Sequence, residues 1–272
     1  MSSATTSGSG GMRLWWQSFV DAGQNAPYLE RMATHLNAIA DPGTSVEVVG
    51  MSPPDRDFGR LTEFRCAALA IDNALEAAAQ GYDAFVMGHF QDPGLYEARS
   101  AVQIPVIGLG ESTLHWAAQL GRNIGLVTID PVFERWHREQ AERYGLAARV
   151  THVVGMGLVV EDFAPAFAGD EGALSHLIES FRVLARPLVE SGADVIVPAG
   201  ALPGLLFAGV HGLTVDHAPV VNCVTVTLKL AETAVRIQRL TGVQPSRGPS
   251  FALAPDRAIV DFRALISRGR EK

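Results

Sequence analysis

The sequence predicts an α/β protein of two similar halves, each built on a parallel sheet, with a cleft between them. Three observations carry this. Short apolar runs alternate with longer stretches of helical periodicity along the chain, the pattern of strand–helix–strand crossovers. Two segments, GYDAFVMGHFQDPGL from Gly81 and GADVIVPAGALPGLL from Gly192, superimpose as Gly-x-Asp-x-x-Val. Downstream of them, IPVIGLG and APVVNCV match in the same way.

In chain order, MSSATTSGSGG is small, polar and Gly/Ser-rich and reads as a tail over residues 1–11. RLWWQ, SVEVVG, AFVMG and PVIGLG are short, β-branched or aromatic and closed by Gly or polar residues, so they read as buried strands. Between them, PYLERMATHLNAIA and LTEFRCAALAIDNALEAAAQG repeat apolar residues at helical spacing, and Gly81 supplies a C-terminal cap. The order then returns: NIGLVTI, ARVTHVVGM, DVIVPA and PVVNCV as strands, with helices over DPVFERWHREQAERYG, DEGALSHLIESFRVLARPLVESG and VTVTLKLAETAVRIQRLTG. The expected organisation is residues 12–115 plus 216–272 as one half and 116–215 as the other, two pseudo-symmetric Rossmann-like (flavodoxin-like) units.

Composition narrows the function. Of 272 residues 47% are hydrophobic and 19% charged, ample for a sizeable core. With a net charge of −7 and no basic stripe, a nucleic-acid partner is not expected. No apolar run approaches the roughly 20 residues that span a bilayer, so no membrane partner is expected either. Two cysteines, Cys66 and Cys223, cannot make a disulfide framework and read as reduced thiols of a cytoplasmic protein. GLGES lacks the G-x-G-x-x-G context and PAGALPG lacks a Walker lysine, so no nucleotide cofactor is expected. Neither H-x-H nor C-x-x-C spacing occurs, and no metal is expected. The expected partners are a small-molecule substrate and further copies of the chain, as a homo-oligomer.

Open parallel sheets bind ligands beyond the carboxyl ends of their strands. That rule singles out the loops after each strand. His89 closes AFVM, and an imidazole that titrates near neutrality suits proton removal next to a carbonyl; the alternative is a histidine that hydrogen-bonds its own loop. Phe90 and Gln91 flank it. Asp92, followed by Pro93 and Gly94, reads as the cap of the next helix, with a substrate-binding role as the alternative. Gln17 and Ser18 follow the first strand, and Thr128 and Asp130 follow its counterpart; each is either a substrate contact or a helix cap. Gly200, with Ala201 beside it, falls opposite His89 in the register of the repeat. Glu111 opens ESTLHWAAQLG and either orients His89 or complements the helix N-terminus. Cys223, placed at the end of a strand, either enters the cleft or packs in the sheet.

FQDPGLYEAR, IPVIGLGESTLHWAAQLG, IGLVTI, GADVIVPAGALP and APVVNCVTVTLKLAE together resemble the aspartate/glutamate/hydantoin racemase superfamily, hydantoin racemases most closely, over residues 12–242. The resemblance implies a cofactor-independent enzyme in which two cysteines, one per half, act as acid and base on opposite faces of the substrate α-carbon. In this sequence those positions are His89 and Gly200. It also implies polar substrate-holding residues near Gln17, Ser18, Thr128 and Asp130, and an acidic residue at Glu111. The expected chemistry is proton transfer on a small carbon acid (a hydantoin, an amino-acid derivative or a carboxylate) through an enolate held by backbone amides, with His89 as principal acid/base and Cys223 or Glu111 assisting. A lyase, decarboxylase or hydrolase using one wall of the same cleft is the alternative, and a silent ligand-binding protein the third reading.

Overall fold

The computed structural model describes residues 11–267 apart from Ala22 and Arg56; most of the expected tail lies outside the described residues. Strands β1 (Met12–Gln17), β2 (Thr44–Val49), β3 (Ala84–Met87) and β4 (Val106–Gly108) form an all-parallel sheet in the order β2-β1-β3-β4. Helices α1 (Ala26–Ile39), α2 (Arg60–Ala79) and α3 (Leu95–Ala101) make the crossovers, and α4 (Leu109–Leu120) leads out. The second half repeats the plan with three parallel strands, β5 (Ile124–Thr128), β6 (Val150–Gly155) and β7 (Val195–Ala199), in the order β6-β5-β7. Helices α5 (Val132–Arg143), α6 (Ala164–Phe167) and α7 (Glu171–Glu190) lie between them. The boundary expected after residue 115 falls inside α4, which runs on to Leu120 as one helix.

The repeat has a physical origin. Gly81 and Gly192 follow α2 and α7 with φ of +73° and +102°, a backbone that L side chains rarely adopt. Two residues on, Asp83 accepts the Arg13 N–H at 2.8 Å and Asp194 accepts the Asn123 N–H at 2.8 Å. In each half the Gly ends a helix and the Asp ties the next strand to its neighbour. The strands that follow are buried at every position, AFVM in one half and VIVPA in the other.

The matching PVVNCV does not form a fourth strand of the second sheet. After α8 (Ala201–Leu206), two-residue strands β8 (Thr214–Val215) and β9 (Ala218–Pro219) pair antiparallel, and Val220 makes only an isolated bridge to Ile196. Asn222 then turns the chain, its side chain accepting the Thr225 N–H at 3.0 Å, and α9 (Cys223–Thr241) begins. Asx capping competes with strand extension, and here the cap wins. Helix α9 packs against β3, β4 and α4 and also against α8 and β7 of the second half, and α10 (Asp256–Ser267) packs against α2. No described helix is long and apolar enough to cross a membrane.

Candidate active site

A cleft of about 60 Å³ lies between the halves at the carboxyl ends of β1, β3 and β7. The first half lines it with Ser18–Val20, Asp55, Phe58 and Gly88–Gln91. The second half contributes Ile129, Phe133, Val160 and Ala199–Leu202. Phe58 and Phe133, one from each half, meet edge to face with ring centroids 4.9 Å apart.

One ionisable pair stands in this apolar setting. His89 Nε2 lies 3.1 Å from Asp55 Oδ2, with side-chain exposures of 15% and 7%. A carboxylate only accepts hydrogen bonds, so ionised Asp55 places the hydrogen on Nε2 and leaves the lone pair on Nδ1. Nδ1 is buried and has no hydrogen-bond partner among the described residues. The ring is wedged against Phe19, centroids 4.6 Å apart. Asp55 is itself held in place: its N–H donates to the Phe19 carbonyl at 2.9 Å, and Arg65 donates to the carbonyls of Pro53 and Pro54 at 2.6 and 2.7 Å. An imidazole held by a carboxylate and lining an apolar cleft is suited to proton transfer.

Asp55 had no motif to announce it. The signal present in SPPDRD is its position, a loop after the carboxyl end of β2, where the same rule that singled out His89 applies. Of the other expected residues, Ser18, Phe90, Gln91, Gly200 and Ala201 line the cleft together with His89. The wall opposite His89, Ile129, Phe133, Val160 and Ala199–Leu202, carries no titratable side chain.

Several expected residues are placed elsewhere. Gln17 is fully buried, donating to the Ser18, Val49 and Gly50 carbonyls and accepting from Trp15 and Asn73. Thr128 is fully buried, its hydroxyl 3.2 Å from the Ala199 carbonyl and 3.1 Å from His137 Nε2, while Asp130 accepts the Val132 N–H at 2.8 Å in the turn before α5. Glu111 pairs with Arg99, not with His89. Cys223 is not on a strand: it opens α9, is fully buried behind the facing wall, and its thiol donates to the Gly200 carbonyl at 3.3 Å. Burial pushes that thiol up to about 12, which keeps it protonated.

Asp92 caps a helix, but not the one that follows it. Helix α3 starts from Gly94, whereas the Asp92 carboxylate accepts the N–H groups of Gly110 (3.0 Å) and Glu111 (2.7 Å) at the start of α4. It also accepts from Tyr144 (2.7 Å) and Gln140 (3.2 Å) on the second half. Burial pushes its carboxyl up to about 7 against the opposing pull of these donors. A side chain at Gly110 would collide with the Phe90 carbonyl at 2.0 Å, so this junction closes only around glycine. The knot fixes the His89–Gln91 loop between the halves. Beneath it, buried His137 bonds Gln140 and Thr128 and stands edge-on to Phe90, its imidazole pushed down to about 4 by burial and so neutral.

Comparison with known proteins follows the same outline. Residues 23–231 match the family model described as Asp/Glu/Hydantoin racemase. The chain is 26% identical over 201 residues to a hydantoin racemase of Pseudomonas sp. (strain NS671), covering 73% of this chain and 78% of that one. It is 27% identical over 214 residues to a hydantoin racemase of Rhizobium meliloti, covering 77% and 80%. Among solved structures, allantoin racemase from Klebsiella pneumoniae shares the fold with a TM-score of 0.74 at 23% identity, covering 90% of this chain and 95% of that one.

Proposed function

The chain belongs to the Asp/Glu/hydantoin racemase family, and from that premise we propose that it moves a proton on a small carbon acid, without a cofactor, through an enolate-like intermediate. The substrate class we propose is a hydantoin or a related amino-acid derivative or carboxylate. The observation that carries the reading is the Asp55–His89 pair, set in an apolar cleft at the end of β3.

His89 takes the proton from the α-carbon, and Asp55 holds the ring and stabilises the imidazolium that forms. Excluding water strengthens that stabilisation, because charges interact more strongly in a low-dielectric site. The same imidazolium returns the proton. The test is exchange of the α-hydrogen of 5-methylhydantoin in deuterated water, followed by proton NMR. We expect His89→Gln to slow it about 10²- to 10⁴-fold with the fold intact, and unchanged exchange sinks the proposal.

The bare wall around Gly200 favours a second reading on the same cleft. A one-sided enzyme, such as a lyase or decarboxylase, cleaves a bond other than C–H and quenches the carbanion from His89 alone. Carbon dioxide release from a substituted malonate or a carboxylated analogue, at a rate above its hydantoin exchange, distinguishes it.

A further inference from the structure

Two hydroxyl side chains of the cleft have no part in the proton transfer just described: Ser18 and Tyr28. Tyr28 lies in the first turn of α1, is 4% exposed, and has its ring set edge-on to Phe167 of the second half at 5.3 Å. Its phenol lies within interaction range of the Ser18 and Cys223 side chains. Cys223 in turn sits 3.3 Å behind the Gly200 carbonyl. Tyr28, rooted in the first half and packed on Phe167 of the second, therefore lines the cleft where the two walls meet.

That placement has a stereochemical meaning. A C–H bond next to a carbonyl breaks when it stands perpendicular to the carbonyl plane, so the base approaches along the normal to that plane. The oxygen that receives the charge lies in the plane, at its edge. With His89 on one face and Gly200 on the other, a donor for that oxygen belongs on the seam.

We infer that the Tyr28 hydroxyl donates the hydrogen bond that stabilises the enolate oxygen, with Ser18 as its positioning partner. This rests on the carbon-acid reading above and adds the residue that meets the developing charge. Burial raises the phenol well above its ordinary range, so it stays protonated and serves as a donor. A hydrogen bond to an anionic oxygen is about twice as strong as one to a neutral carbonyl, which makes the contact selective for the intermediate.

The experiment compares two probes by calorimetry: barbiturate, a planar cyclic-ureide enolate at neutral pH, and neutral hydantoin. For Tyr28→Phe, which removes one oxygen from the fold, barbiturate affinity is expected to fall about 10- to 100-fold and hydantoin affinity less than 3-fold. Equal losses for both probes, or none for either, overturn the assignment. So does a wild-type protein without affinity for barbiturate. Should Tyr28→Phe lose its native thermal transition, wild-type protein labelled with 3-fluorotyrosine decides: the chain has four tyrosines, and the Tyr28 fluorine resonance must shift with barbiturate and not with hydantoin. His89→Gln exchange is read separately, so the base and the oxyanion donor fail independently.

Discussion

Replacing Gly200 by cysteine is expected to turn one-sided proton transfer into efficient interconversion of enantiomers. The position faces His89 across the cleft, and its backbone is extended (φ 167°, ψ 148°), so a side chain brings no backbone strain. An added Cβ would meet the Pro203 ring carbons at 3.0 and 3.1 Å. The ring must yield by a few tenths of an ångström, an overpacking cost of about 1 kcal/mol. For a chain of this size that lowers the thermal midpoint by roughly 2–4 °C. In return the facing wall gains a proton carrier, and a positioned acid or base contributes about 10²- to 10⁴-fold. The assay is loss of optical rotation from a single enantiomer of 5-methylhydantoin, with thiol labelling to show that the new side chain is open to the cleft. A folded Gly200→Cys protein with a labelled thiol and unchanged interconversion would refute the premise that the two walls address one carbon.

Other expectations are read in the same assays. Asp55→Asn should slow exchange about 10²- to 10⁴-fold, since a neutral amide no longer stabilises the imidazolium; a loss under threefold contradicts the pairing. Cys223→Ala should cost about 1–2 kcal/mol of stability from a buried cavity and leave the exchange rate unchanged, whereas abolished exchange would restore the thiol to the chemistry. Asp92 has a folded-state carboxyl raised to about 7 from 3.8, so the native state binds more protons than the unfolded state between these values. Its stabilising contribution is full below pH 4 and lost as pH rises through 7, with a slope of up to about 1.4 kcal/mol per unit. Denaturant midpoints across that range should show the slope in wild type and lose it in Asp92→Asn.

The fold was legible because its signals are local. Gly-x-Asp ahead of a buried apolar strand occurs twice, and each residue does the same work in both halves: Gly81 and Gly192 end helices, Asp83 and Asp194 tie strands. The cleft-lining positions of His89 and Gly200 follow from the same register, and the family was legible in the resemblance carried by segments such as FQDPGLYEAR and IPVIGLGESTLHWAAQLG. What sequence reading placed wrongly depends on tertiary partners. PVVNCV has the composition of a strand, yet Asn222 caps a helix and carries Cys223 behind the wall. Asp92 looks like the cap of its own helix, but a positive φ (+52°) turns it toward α4 and the second half. Glu111 faces Arg99, a partner twelve residues earlier that no helical spacing relates to it. Asp55 carries no motif at all, and only the structure reveals its contact with a histidine 34 residues on.

The central claim is that His89 is the proton carrier and that it works on one face. Enantiomer-resolved deuterium exchange tests both parts: D- and L-5-methylhydantoin are incubated separately with wild type and with His89→Gln, and label is followed by proton NMR before any inversion accumulates. The account predicts exchange strongly favoured for one enantiomer in wild type and reduced about 10²- to 10⁴-fold for it in the variant. Equal exchange of both enantiomers by wild type, or a wild-type rate in His89→Gln, would contradict it.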